Sequence, residues 1–172
     1  EGKKMKEESA YQPDYGAILS ARVRAFEWEK TTQERICEDP YARALIGEDG
    51  MEMGRQVEES DHIVQLGKIV PSVRDIVLLR TRYTDEYLKR GIAEGAKQIV
   101  ILGAGFDSRA LRLKEAQTTR IFEVDRPIHM EEKKQRVRAL LGELPPPRGL
   151  YRDRFPGGDP GGPEKEAGRG RL

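Results

Sequence analysis

Between Gln98 and Asp125 an apolar run, Ile99 to Leu102, ends in a Gly-Ala-Gly turn at Gly103, Ala104 and Gly105, and a second run, Ile121 to Val124, ends in the acid Asp125. Short continuous apolar runs mark buried parallel strands, so the stretch reads as one βαβ unit of a nucleotide-type binding fold. A glycine turn after the first strand lets backbone N–H groups approach a ligand closely. An acid about 20 residues further on, at the end of the second strand, can accept both hydroxyls of a ribose. The pattern points to an adenosine-containing cofactor.

At 172 residues the chain has room for one domain. Its 37% hydrophobic content and mean hydropathy of -0.72 are a thin supply for a three-layer α/β core, so part of the chain is expected to stay unpacked. The near balance of 31 basic and 30 acidic residues argues against nucleic acid as partner, because phosphate binding needs a surplus of Lys and Arg on one face. Cys37 is the single cysteine, which forbids an internal disulfide. No apolar stretch approaches the roughly 18 residues of a membrane span, and no signal-peptide pattern opens the chain, so a cytoplasmic protein without membrane association is expected. Glu1 is not a start residue, which leaves room for sequence ahead of it.

Along the chain, residues 1–14 are polar and unpatterned and read as a mobile N-terminus, with residues 15–70 a helical region. There Ile18, Leu19, Val23 and Phe26 recur at helical spacing, ending near Trp28. Asp39 followed by Pro40 suits a helix start, with a short helix over 40–46 stopped by Gly47. Residues 48–56 look like a loop, and Ser60 with Asp61 suits a further short helix through Leu66. From Pro71 a long helix carries the stripe Ile76, Leu79, Tyr83, Tyr87 and Leu88, weakened and ended by Gly91 and Gly95. A helix over 106–113 should follow the glycine turn, and a charged amphipathic one over 128–144 should follow the second strand. Residues 71–147 then form the cofactor-binding part, and 148–172, rich in Gly, Pro and charge, an irregular or disordered tail.

The glycine turn gains specificity from its surroundings: RTRYTDEYL, then VILGAGFDSRALRL, then FEVDRP. These strings resemble the class I S-adenosylmethionine-dependent methyltransferases of the leucine carboxyl methyltransferase and polyketide O-methyltransferase group. The resemblance runs from about Ser20 to about Leu144 and implies the N-terminal part of a Rossmann-like α/β fold with a helical lid region. It also implies methyl transfer from S-adenosyl-L-methionine to an oxygen, the hydroxyl or carboxylate of a small molecule or of a protein C-terminus. The turn Gly103, Ala104, Gly105 would pass under the methionine part of the cofactor, and Asp125 would hold the ribose hydroxyls. Arg80, with Arg82 as second choice, would meet the cofactor carboxylate, and Arg24 or Arg22 would reach the cofactor from the N-terminal helix. The stretch Asp39 to Ala42 fits the lid.

Other residues have plainer roles. Asp107 and Arg109 suit a local pair or helix cap, Glu123 lies on the Asp125 side of its strand and suits a supporting role, and Cys37 suits packing. His62 and His129 have no partners at metal-ligand spacing, so both are expected to be satisfied or exposed, and no metal is implied. Tyr11 and Tyr15 are expected as exposed turn tyrosines. No catalytic base and no oligomeric state can be assigned. A nicotinamide-dependent oxidoreductase shares the βαβ unit, but Ser108 stands where its third glycine belongs and about 100 residues precede the turn. A non-catalytic remnant or interaction module is the third reading.

That third reading arises because the family's later strands are missing. Where an apolar strand ending in an acidic-aromatic pair should come, the chain reads RGLYRDRFPGGDPGG. Reverse translation of Gly149 onward admits codons that, read one base later, spell VYIAIDFQAETL, an alternating strand with an Asp-Phe pair. The tail is therefore expected to be off-frame and the protein truncated. Two parallel strands with their helices would leave a sheet edge uncovered, which predicts marginal stability or dependence on a partner.

Overall fold

The computed structural model describes residues 14–60 and 73–143. The helix expected near Ser60 to Leu66, His62, Tyr11, the N-terminal segment before Asp14 and the tail over 148–172 lie outside the described residues.

Helix α1 spans Tyr15–Trp28. Asp14, grouped from the sequence with a mobile terminus, instead caps it: its carboxylate accepts the Ala17 N–H at 2.9 Å, satisfying one of the free donors of the first turn. Ile18, Ala21 and Ala25, three and four positions apart, are buried on one face.

Helix α2 spans Ala42–Glu58, which corrects two expectations. The helix does not stop at Gly47, and residues 48–56 are not a loop. Gly47 breaks the helical geometry at φ 66 and ψ 178, after which the helix resumes. Small residues explain the continuation, because they let α2 lie close on α1: a Cβ at Gly54 would stand 2.6 Å from the Arg22 side chain. Arg55 then bridges Glu52 and Glu59 at helical spacing. Tyr41, not Asp39, holds the cap position of α2, but the Asp39 carboxylate does accept a free N–H at this start, from Tyr41 at 3.2 Å.

Helix α3 spans Val73–Ala93 and buries Leu78, Thr81 and Asp85. The apolar stripe read from the sequence is present but faces outward, with Ile76, Leu79, Tyr83 and Tyr87 all exposed. Strands β1 (Gln98–Leu102) and β2 (Arg120–Val124) pair in parallel. Their crossover is shorter than expected: α4 covers only Arg109–Arg112, followed by a 3-10 turn at Glu115–Thr118. Helix α5 spans Pro127–Leu141, opening on a proline whose missing N–H would have had no helical partner. On β1 only Ile99 is buried, while Val100 and Leu102 are exposed, so the strand is not covered on both faces as its continuous apolar run suggested.

The architecture is a mixed helix and strand fold around a small parallel sheet. One cluster of Ile18, Ala21, Ala25, Ala42, Leu45, Ile46, Met51, Phe106 and Val137 forms the core. It draws on α1, α2, the glycine turn and α5 together, so the helical N-terminal region and the βαβ unit share one apolar interior.

Candidate functional site

A cavity of about 610 Å³ opens above the end of β1. Gly103, Ala104 and Gly105 line it from the turn, Arg80 and Thr84 from α3, and Ala17, Ser20 and Arg24 from α1. The turn needs its glycines for two different reasons. Both have left-handed backbones, φ 63 at Gly103 and φ 42 at Gly105, where a side chain is strained. A Cβ at Gly103 would meet nothing within 4 Å, whereas one at Gly105 would stand 2.9 Å from the Ala17 Cβ. Gly103 thus keeps backbone bare toward open space, and Gly105 lets α1 close on the turn.

Asp125 stands behind the turn and is not among the residues lining the cavity. One carboxylate oxygen accepts the Gly105 N–H at 2.7 Å and the other its neighbour Arg126's N–H at 2.7 Å. The spacing read from the sequence therefore has a physical link, a hydrogen bond between turn and acid.

The candidate arginines separate cleanly. Arg80 lines the cavity, is exposed, and its side chain makes no hydrogen bond or ion pair among the described residues. Arg82 lines a different cavity of about 470 Å³. Arg24 also reaches the main cavity, but two of its donors are engaged: Nε donates to Asp39 at 2.8 Å and Nη2 to the Phe106 carbonyl at 2.9 Å. Arg22 pairs with Glu58 and packs over Phe26, and it is not among the cavity-lining residues.

An ionic network that reaches the cavity wall through Asp107, Arg109 and Arg112 goes beyond the local pair expected from the sequence. Buried Asp85 of α3 accepts from Arg109 at 2.7 Å and from Arg112 at 2.7 and 2.8 Å. Arg109 also pairs with Asp107, as the sequence suggested. Burial pushes the Asp107 carboxyl up, but Arg109 and Lys133 outweigh it and hold the group below the usual carboxylate range. Glu123, 2% exposed, faces Lys133 at 2.8 Å; there burial wins over Lys133 and raises the carboxyl. The sequence signal was the arginine pair three apart in SRALR, but nothing local singled out Asp85 among the charges of its helix.

Cys37 is buried, and its thiol is pushed up to about 11 by desolvation. Among the described residues no group of His, Cys, Asp and Glu is arranged to hold a metal ion, and no helix is long and apolar enough to cross a membrane.

Comparison with known proteins adds the following. The family described as leucine carboxyl methyltransferase matches residues 17–154. A Streptomyces coelicolor protein provisionally named an S-adenosyl-L-methionine-dependent methyltransferase is 35% identical over 117 residues, covering 68% of this chain and 40% of the relative. A Mycobacterium tuberculosis protein of the same provisional name is 41% identical over 112 residues, or 64% of this chain and 34% of the relative. A Mycobacterium bovis protein, again so named, is 34% identical over 139 residues, 80% of this chain and 44% of the relative. The chain spans less than half the length of these curated relatives.

Proposed function

Because this chain belongs to the leucine carboxyl methyltransferase family, we propose that it forms the cofactor-binding part of an S-adenosyl-L-methionine-dependent methyltransferase with a Rossmann-like fold. The observation that carries the proposal is the bare turn at Gly103. Its left-handed backbone and the open space beside it make a cradle that a Cβ would begin to fill. Close backbone approach to a ligand needs such a surface.

When bound, S-adenosyl-L-methionine supplies an electrophilic methyl group. This chain's residues would bind and orient. Asp125 has acceptor capacity beyond the two N–H groups it engages and is suited to ribose hydroxyls. Arg80 offers a guanidinium to the carboxylate. Arg24 fixes the Phe106 carbonyl, and hence the end of the turn, while facing the same cavity. The acceptor in this proposal is an oxygen, either the carboxylate of a small molecule or protein C-terminus or a hydroxyl. A carboxylate acceptor needs no general base, because it is already deprotonated at neutral pH.

Calorimetric titration with S-adenosyl-L-methionine and, separately, NAD tests the proposal, with Asp125→Ala and Arg80→Ala as controls. Saturable binding of the first ligand alone, abolished by Asp125→Ala and weakened about tenfold by Arg80→Ala, is expected from the loss of hydrogen bonds to charged groups. A folded sample that binds neither ligand would refute it and leave the interaction-module reading.

A further inference from the structure

Asp39 stands just ahead of α2 with its side chain fully buried. Both carboxylate oxygens are engaged: Oδ1 accepts the Tyr41 N–H at 3.2 Å and Oδ2 the Arg24 Nε–H at 2.8 Å. A buried carboxylate is stable only with such partners. A second arginine is near, with Arg112 Nε at 4.0 Å, but it is committed elsewhere. Its Nε donates to Ser108 Oγ at 3.0 Å and its terminal nitrogens to Asp85 at 2.7 and 2.8 Å. Arg24 is therefore the arginine hydrogen-bonded to Asp39. Arg24 Nη2 in turn donates to the Phe106 carbonyl at 2.9 Å, at the end of the glycine turn. Two bonds in the plane of a rigid guanidinium, one to the start of α2 and one to the turn, fix how that plane lies. The remaining nitrogen, Nη1, has no partner among the described residues, and Arg24 lines the cavity.

We infer that Asp39 is a positioning residue for the cofactor site: by holding Arg24 Nε from behind, it keeps the unpartnered edge of that guanidinium ready for the carboxylate of S-adenosyl-L-methionine. The inference rests on the proposed role of Arg24 toward the cofactor. Asp39 itself does not line the cavity, so it acts through Arg24 alone. The physical gain is preorganisation. A free arginine side chain loses rotamer freedom when it settles on a ligand, whereas one already tied at two points has lost it before the ligand arrives.

Asp39→Asn keeps the shape but removes the charge, and because both oxygens accept an N–H, its amide must turn an NH₂ toward one of the two donors. Calorimetric titration of the full chain compares S-adenosyl-L-methionine with methylthioadenosine, which keeps the adenosine and the sulfur but lacks the amino-acid end. Asp39→Asn should bind the first about tenfold more weakly and the second within about twofold of the parent, as one charge-assisted hydrogen bond loses its alignment. An equal loss for both ligands is the mark of a merely structural residue and overturns the inference, as does unchanged affinity for the first. On an Arg24→Gln background, Asp39→Asn should weaken binding no further, and additive losses overturn the inference. Should Asp39→Asn fail to fold, Arg24→Lys asks the same question, since a lysine keeps the charge but cannot span Asp39 and the Phe106 carbonyl with one planar group. It should bind S-adenosyl-L-methionine about tenfold more weakly, and parental affinity overturns the inference. A folded parent that binds neither ligand refutes the proposed function and this inference with it, whereas a parent that binds both, matched by Asp39→Asn, overturns the inference alone.

Discussion

The two glycines of the turn lie two positions apart, and the same substitution should injure them differently. At Gly105 an added methyl meets the Ala17 Cβ at 2.9 Å in a left-handed backbone. Neither partner is the end of a flexible side chain, so Gly105→Ala should cost about 2–3 kcal/mol of stability. At Gly103 the backbone is equally left-handed but the methyl enters open space, so Gly103→Ala should cost only about 1 kcal/mol. Its larger effect falls on affinity for S-adenosyl-L-methionine. Urea melts beside titrations separate the two outcomes, and equal stability losses would refute the assignment. Cys37 supplies a pH test at the same scale. Burial raises its thiol to about 11 from an ordinary value near 9, so the neutral form is favoured in the folded state. That contribution is complete below about pH 9 and lost as pH rises toward 11. Cys37→Ala should flatten the alkaline end of the stability profile. Alkylation by iodoacetamide at pH 8 should be slow until urea is added, as mass spectrometry would register.

Helix α2 shows why elements were harder to read than residues. Gly47 was legible as a break, and the structure keeps the break, at φ 66. What could not be read is that the helix resumes, because its support comes from other elements, from close packing on α1 and from α5. The Arg136 guanidinium donates to the Ile46 carbonyl at 2.7 Å and pairs with Asp49 at 2.8 Å. It replaces a helical bond lost at the kink with one from 90 residues away. Arg136→Met should therefore cost about 1–3 kcal/mol by leaving that carbonyl without its donor, with loss of helical circular dichroism on heating to check it. An unchanged melt would mean that water satisfies the carbonyl equally well. The site divides along the same line. The turn and Asp125 could be read from their spacing, since one βαβ unit places them by local geometry, whereas Arg80 is pointed to by the family resemblance alone. Asp85 could not, because its partners Arg109 and Arg112 lie 24 and 27 residues away in a chain where 35% of residues are charged. The outward direction of the α3 stripe was hidden for a related reason: periodicity gives a face but not the side on which the core lies.

At the scale of the molecule, the described fold has an interior and an apolar exterior. Val100 and Leu102 on β1 are 58% and 74% exposed, and on α3 Ile76, Leu79, Tyr83 and Tyr87 range from 52% to 72%. Tyr83 and Tyr87 stack on each other at 6.4 Å between ring centroids rather than on the core. A two-stranded sheet is marginal unless helices pack against it, and here the packing comes through the cluster of α1, α2, the turn and α5. The consequence is a chain that folds cooperatively around that cluster yet offers a hydrophobic dye a second surface. The chain should bind anilinonaphthalene sulfonate under native conditions while still giving one sharp unfolding transition. A molten state would bind the dye but lose sharp unfolding and near-ultraviolet circular dichroism. Val100→Thr with Leu102→Thr removes apolar groups that are already largely in water. It should lower dye fluorescence and light scattering and leave the melting midpoint within about 2 °C, since surface changes of this kind alter stability by about 0.5 kcal/mol or less. A fall of several degrees would instead mean that these side chains hold the sheet together, and that the stability of the fold does not reside in the helical cluster alone.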